Sequence, residues 1–523
     1  MKLGAHVENG ITRFALFTTT ADRCAVRTLG RDHEMANAGS GLWIAEIPNA
    51  GHGTEYLFVL GDRALPDPYA RHLPKGVHAP SVVWQSRHQW RHTRVPVVDP
   101  VIYELHVGTF TPEGTYEGAR SKLAYLADLG VNVLEIMPLA SFAGTRGWGY
   151  DGVAHFAPFA RYGTPDDLRR FVDDAHGHGL SVVIDVVYNH FGPSGNWLPA
   201  YAPEYFTKDV STAWGDAPNF AHPHMRAYVL DNAAYWIDEL RFDGLRLDAV
   251  HAIHDPSLLV DIRARVPDAF LIPEDERHDP SVVRDAVWAD DFHHQARVTF
   301  TRESDGYYGK FTPGAAGIAK TIAGGWLHGD ASTLSARQLV YCIENHDQVG
   351  NRPRGERLGA YVSRETNMAL AMLLLYLPMT PLLFMGQEWA AKTPFAYFTD
   401  HDGDLSEAVR KGRLAEFADF TDFKGEVADP QDIETFLASR IDWNDRDEEM
   451  LELYRRMLEL RKHDPVLRER DRAKLRAWNE GPLLLVERWS GEDRRLFVMS
   501  CDGTPLSPSE RVLVATPLAH VLW

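Results

Sequence analysis

Two periodicities divide the chain. From Leu3 to about Leu60, apolar and polar residues alternate in short runs (Thr12-Arg-Phe-Ala-Leu-Phe, Cys24-Ala-Val-Arg-Thr-Leu, Gly41-Leu-Trp-Ile-Ala-Glu-Ile) separated by Gly, Asn and Asp. A period of two bounded by turn residues predicts a small antiparallel β-sandwich, assigned to residues 1–96. Prolines 66, 68, 80, 96 and 100 punctuate a connector, and the boundary falls near Val97.

Beyond it the apolar runs become continuous and alternate with helical stretches. In order they are Val101-Ile-Tyr-Glu-Leu-His-Val, Val133-Leu-Glu-Ile-Met-Pro-Leu, Ser181-Val-Val-Ile-Asp-Val-Val-Tyr, Gly244-Leu-Arg-Leu-Asp-Ala-Val-His, Phe270-Leu-Ile-Pro-Glu, Ala289-Asp-Asp-Phe-His, Leu339-Val-Tyr-Cys-Ile-Glu and Thr380-Pro-Leu-Leu-Phe-Met. Strands buried on both faces read this way, and eight of them predict an α/β fold, a (β/α)8 TIM barrel over residues 97–465. Thr164-Pro-Asp-Asp starts one intervening helix, and Gly177 and Gly179 end it. The apolar stretch from Met368 to Gly386 approaches the length of a membrane span, but Pro378 and Pro381 interrupt it, so it reads as a helix followed by a buried strand. Residues 191–224, rich in Pro, Gly, Asn and aromatics, predict a functional loop over the barrel mouth. A helix over Asp447 to Lys462 follows the last barrel strand. From Ala473 alternation returns, which predicts a small β domain over residues 466–523.

Composition narrows the partners. A chain of 523 residues exceeds one compact core, and a net charge of −19 speaks against nucleic acid. Cys24, Cys342 and Cys501 form no CxxC and no paired spacing, and residues 1–9 hold no apolar leader, so a cytoplasmic protein with no membrane partner is expected. The 14 Trp, 19 Tyr and 24 Phe offer flat apolar faces of the kind sugars stack on.

Chemistry gathers where the apolar strands end, which is where a barrel keeps its active site. The third ends Asp185-Val-Val-Tyr-Asn-His190, the fourth carries Arg246 and Asp248 on one face, the fifth ends Glu274-Asp-Glu276, and the seventh ends Glu344-Asn-His346-Asp347. Converging carboxylates repel, so one is held protonated while another stays charged. Glycoside hydrolysis needs such a pair, about 5 Å apart when anomeric configuration is retained. Asp248 is the candidate nucleophile, because Arg246 keeps it ionised. Glu274 is the candidate acid/base, with Glu276 its rival. Asp347 would hold sugar hydroxyls, helped by His190 and His346 as neutral donors. Pro273 costs a ladder donor unless it ends its strand, and Glu344 either raises a neighbour's pKa or pairs with an arginine.

The four segments Asp185-Val-Val-Tyr-Asn-His, Gly244-Leu-Arg-Leu-Asp-Ala-Val-His, Leu271-Ile-Pro-Glu and Glu344-Asn-His-Asp resemble, in order and spacing, the four motifs of the α-amylase family of retaining glycosidases. The resemblance implies Asp248 as nucleophile, Glu274 as acid/base and Asp347 as transition-state stabiliser. It places Arg246, His190 and His346 in the same subsite, with Tyr150 stacked under the sugar. Gly147-Trp-Gly-Tyr-Asp-Gly-Val, Asp290-Asp-Phe-His-His, Asn345-His-Asp-Gln-Val-Gly-Asn-Arg and Tyr397-Phe-Thr-Asp-His are similar to the members that release trehalose from malto-oligosyl trehalose, in which a sandwich, glycan-binding-like, precedes the barrel. The implied substrate is malto-oligosyl trehalose or a maltodextrin, the alternatives being a branching enzyme and a general α-1,4-glucanase. His251, Trp148 and Trp197 are candidates for selecting trehalose.

Gly147-Trp-Gly-Tyr-Asp-Gly matches GxGxxG, but bulky residues fill the turn and no strand-turn-helix surrounds it, so no dinucleotide is expected. No HExxH or comparable spacing supports zinc. Many α-amylase relatives bind calcium near the position of Asn189, yet the trehalose-releasing members generally do without it. No cofactor and no metal are expected, and the chain is expected to be a monomer or homodimer.

Overall fold

The computed structural model describes residues 2–212, 214–417 and 427–523. Its centre is a sheet of eight parallel strands: β1 (Ile102–Leu105), β2 (Val133–Ile136), β3 (Ser181–Val186), β4 (Gly244–Leu247), β5 (Phe270–Pro273), β6 (Val287–Trp288), β7 (Leu339–Cys342) and β8 (Thr380–Phe384). They neighbour one another in the order β5-β4-β3-β2-β1-β8-β7-β6, so β1 pairs with β8 and the sheet curls into a nearly closed barrel. The seam lies between β5 and β6, where the Leu271 N–H donates to Asp285 Oδ2 at 2.8 Å and the Ala286 N–H donates to the Leu271 carbonyl at 3.3 Å. The strands are buried almost throughout, as their continuous apolar runs require.

The sixth strand sits two residues earlier than the sequence suggested. Val287–Trp288 is the strand, and Asp291–Thr301 is a helix. The run Ala289-Asp-Asp-Phe-His misleads because its apolar residues serve the start of a buried helix, which periodicity cannot separate from a strand over so few positions. Helix α1 (Pro165–Gly177) starts as expected: Thr164 and Asp167 form a reciprocal capping box with Pro165 at the first helical position. The apolar stretch after Ser363 divides into α2 (Arg364–Tyr376) and β8. Among the described residues no helix is long and apolar enough to cross a membrane.

Two antiparallel sheets built from residues 4–65 precede the barrel, and Phe14, Trp43 and Ile47 of one face Val26, Tyr56 and Phe58 of the other in a common core. The connector returns to this unit, because Ser81–Val82 pairs with Glu55 and Tyr56. Inside residues 191–224 lies a hairpin of Phe206–Thr212 and Gly215–Pro218. Beyond the barrel come α3 (Gly403–Phe417) and α4 (Glu448–His463), the latter capped by Asp447. A five-stranded antiparallel sheet spans Leu475 to Leu522. It is fastened to α2 through Tyr376, whose hydroxyl donates to the Val486 and Arg495 carbonyls.

Candidate active site

The carboxyl ends of β3, β4, β5 and β7 open into a cavity of about 530 Å³ lined by Tyr150, His190, Asp248, Glu274, His346 and Asp347, among others. One buried guanidinium organises it. Arg246, fully buried on β4, donates from Nη1 to Asp185 Oδ2 at 2.7 Å and Asp248 Oδ1 at 2.9 Å, and from Nη2 to Glu274 Oε2 at 2.7 Å. Its face lies 4.2 Å from the Trp288 ring centroid. Three carboxyls, one on β3 and two just past the ends of β4 and β5, therefore share one cation that is itself fully buried.

The two carboxylates proposed for chemistry are held differently. Asp248 accepts on both oxygens, Oδ1 from Arg246 and Oδ2 from Asn189 Nδ2 at 2.8 Å. Glu274 accepts twice on a single oxygen, Oε2, from Arg246 and from the Ala249 N–H at 2.9 Å. Burial raises the Glu274 pKa, Arg246 opposes it, and the Asp248 and Asp347 charges add to it, so the carboxyl is pushed up to about 8. With two donors on Oε2, the proton belongs on Oε1. Ala249, between the two carboxylates, has φ +41°, a strained left-handed backbone that turns its N–H onto Glu274.

His346 departs from the neutral donor expected of it. Burial opposes a charge on the ring, but Asp347 and Glu104 outweigh it and push the pKa up to about 10, so the imidazole is charged at neutral pH. Its Nε2 lies 2.8 Å from the Tyr150 hydroxyl and 3.3 Å from Asp347 Oδ2. Tyr150 stacks on the His346 ring, centroids 5.2 Å apart, and donates to Asp185 Oδ2 at 2.6 Å. His190 also lines the cavity, but both ring nitrogens face protein carbonyls, those of the Asn189 side chain and the Tyr150 backbone. In place of a free donor it presents a ring face stacked against Trp214, centroids 3.6 Å apart.

The remaining sequence candidates separate. Trp148 reaches the cavity with its ring edge; it is otherwise wedged between Phe395 and Gly350, where an added Cβ would stand 2.0 Å from the indole, so only glycine fits. His251 is not part of the cavity's described lining and pairs with exposed Glu276 at 3.2 Å. That contact also takes Glu276 away from the acid/base position. Trp197 is turned toward the amino-terminal unit, its indole N–H bonded to the Val77 carbonyl. Glu344 pairs with Arg357, and Pro273 is the last residue of β5. Arg413 also lines the cavity and falls in no segment singled out above, whereas Trp214, Asp151 and Tyr397, which line it too, fall within the 191–224 loop and the Gly147–Val153 and Tyr397–His401 segments without a role of their own. They stand on loops and on α3, with no strand end to flag them.

A family model described as the α-amylase catalytic domain matches residues 65–211. A malto-oligosyltrehalose trehalohydrolase of Deinococcus radiodurans is 47% identical over 525 residues, which covers 93% of this chain and 87% of that protein. The chain belongs to the malto-oligosyltrehalose trehalohydrolase family.

A crystal structure of a Salmonella typhimurium protein provisionally described as an α-amylase superposes on this trehalohydrolase-family chain with a TM-score of 0.91 at 35% identity, covering 100% of this chain and 99% of that one. By contrast a 1,4-alpha-glucan branching enzyme of Aliivibrio fischeri is 28% identical over 476 residues and only 65% of it is covered. The sandwich, barrel and four strand-end segments thus occur together in a trehalohydrolase-family member. Among its described residues no cluster of three or more His, Cys, Asp and Glu has the arrangement to hold a metal ion.

Proposed function

We propose that this chain hydrolyses the α-1,4-glucosidic bond next to the terminal trehalose of malto-oligosyl trehalose by double displacement, releasing trehalose and a maltodextrin. The observation that carries the mechanism is the single Arg246 guanidinium bonded to both Asp248 and Glu274. Both carboxyls are bonded to that one group, which supports the close pairing that a retaining mechanism needs.

In the first step Asp248 attacks the anomeric carbon while Glu274 gives its Oε1 proton to the glycosidic oxygen. The C–O bond breaks, trehalose leaves, and the maltodextrin is held as an ester on Asp248. Glu274, now a carboxylate, takes a proton from water, and the resulting hydroxide equivalent displaces Asp248 with overall retention. Asp347 and charged His346 border the same space and favour the oxocarbenium-like state through hydroxyl contacts that strengthen as the ring flattens.

Two experiments test this. Purified protein incubated with maltopentaosyl trehalose is expected to release free trehalose, and to leave maltoheptaose largely uncut. Equal cleavage of both would make it a general α-glucanase, and longer or branched products a branching enzyme. The pH profile tests the acid: because Glu274 titrates near pH 8, kcat/KM is expected to hold through neutrality and fall as pH rises through about 8. A profile flat to pH 10 would remove Glu274 from that role.

A further inference from the structure

The charge that His346 carries is matched from deeper in the barrel than the strand ends. Glu104, in the middle of β1 and 1% exposed, accepts from the His346 backbone N–H on Oε2 at 3.0 Å and faces His346 Nδ1 with Oε1 at 2.5 Å. The two residues are 242 positions apart. From the far side of the ring the contacts continue: His346 Nε2 to the Tyr150 hydroxyl, Tyr150 to Asp185, Asp185 to Arg246, and Arg246 to Asp248 and Glu274. With Nδ1–H committed to Glu104, Nε2–H can donate to Tyr150, and the Tyr150 proton is then free for Asp185. Asp185 thus accepts from Tyr150 on one side and from Arg246 on the other, and Glu104 accepts at the far end of the row.

We propose that Glu104 is a positioning residue for this active site: its two carboxylate oxygens fix His346 as a charged, singly oriented imidazolium, which aims Tyr150 at Asp185 and presents Nε2–H beside Asp347. Glu104 touches no substrate; it acts through His346.

The surroundings support the assignment. The groups that face His346 are Glu104 on β1, Glu135 on β2, Asp185 on β3, Arg246 on β4, His106 just past β1, Tyr150, and its neighbour Asp347, with the Trp148 and Trp288 rings closing the sides. Arg246 disfavours the charge, and His106, kept neutral by burial with its pKa near 3, adds nothing to hold it. Glu135, directly beside Glu104 in the β1–β2 register, is forced well above the ordinary carboxyl range by burial and by Glu104 itself, and neither of its oxygens has a hydrogen-bond partner. Of these two adjacent buried acids, Glu104 is the one bonded to the imidazole.

The test is kcat and KM against pH, from about 5.5 to 9, for wild type, Glu104→Gln and Glu104→Asp on maltopentaosyl trehalose. A glutamine keeps the shape but supplies one acceptor for two donors and no counter-charge. Its kcat is expected to fall about 10- to 100-fold near pH 7.5 with KM within about twofold, and the loss to shrink toward pH 5.5, where the ring protonates unaided. Glu104→Asp should keep the wild-type profile shape. In a His346→Gln background, Glu104→Gln should cost less than about twofold more, because its route of action is gone. An unchanged kcat for Glu104→Gln, an equal loss at every pH, or a full loss in the His346→Gln background overturns the proposal. If Glu104→Gln does not fold, the double variant and Glu104→Asp carry the same comparison. The inference rests on the glycosidase reading, and the outcomes separate: no trehalose from the wild type defeats that reading, whereas an active wild type with an indifferent Glu104→Gln defeats only this one.

Discussion

Asp248→Asn is expected to lower kcat/KM for maltopentaosyl trehalose by on the order of 10⁴-fold or more, with the protein still folded. The side chain is nearly the same shape, but an amide cannot form the ester. Its nitrogen must also face one of two donors, Arg246 Nη1 or Asn189 Nδ2, each of which now donates to one oxygen of the carboxylate. That donor-against-donor contact costs about 1 kcal/mol of stability, a minor effect beside the kinetic one. Trehalose release within tenfold of wild type would show that another group attacks the anomeric carbon.

The largest effect on stability is expected from Arg246→Met. The methionine fills much of the same volume, but Asp185, Asp248 and Glu274 lose their shared cation inside the barrel. Removing one partner of a buried ion cluster typically costs about 3–5 kcal/mol, and a three-carboxylate cluster belongs at the upper end. The pH dependence follows from the sign of the shifts. Burial already lifts Asp185 to about 6 and Glu274 to about 8 with Arg246 in place, against it. Without the arginine both rise further. A carboxyl whose folded pKa lies above its unfolded value costs stability as pH climbs from the unfolded value through the folded one. Chemical denaturation should therefore show a smaller deficit near pH 5 than near pH 8. A deficit that is constant with pH would mean that packing, not charge, is what Arg246 supplies.

The barrel was readable because its strands are apolar without interruption and its site residues terminate them. Arg246 on β4 and Asp248 directly after its last residue sit two apart, so both are aimed at the same end of the barrel, and Glu274 follows directly on β5. What escaped lies where local pattern carries no partner. Glu104 is an acid in an otherwise apolar strand, Ile102-Tyr-Glu-Leu, a visible oddity whose meaning depends on a histidine on another strand's end. The charge of His346 differs from the expected neutral donor partly for the same reason: beside its neighbour Asp347, a second acid that raises its pKa lies on β1. Trp214 rides a hairpin whose place over His190 is decided by tertiary packing. His251 follows the candidate nucleophile in sequence, yet the short turn over Val250–Ala252 carries it to the rim beside Glu276. The sixth strand was displaced because two residues give no period to count.

The pairing of β1 with β8 also bears on how the molecule comes into being. Ile102 sits opposite Leu382, so the first barrel strand waits for the last before its outer edge is covered. Glu104 likewise waits for His346. During synthesis, some 280 residues must leave the ribosome after β1 before the ring can close, a long-range pairing of the kind that slows folding. A nascent chain that ends before His346 would hold Asp248, Glu274 and Arg246 but lack His346 and Asp347, so the full set of site residues is expected only late in synthesis, with ring closure waiting for β8.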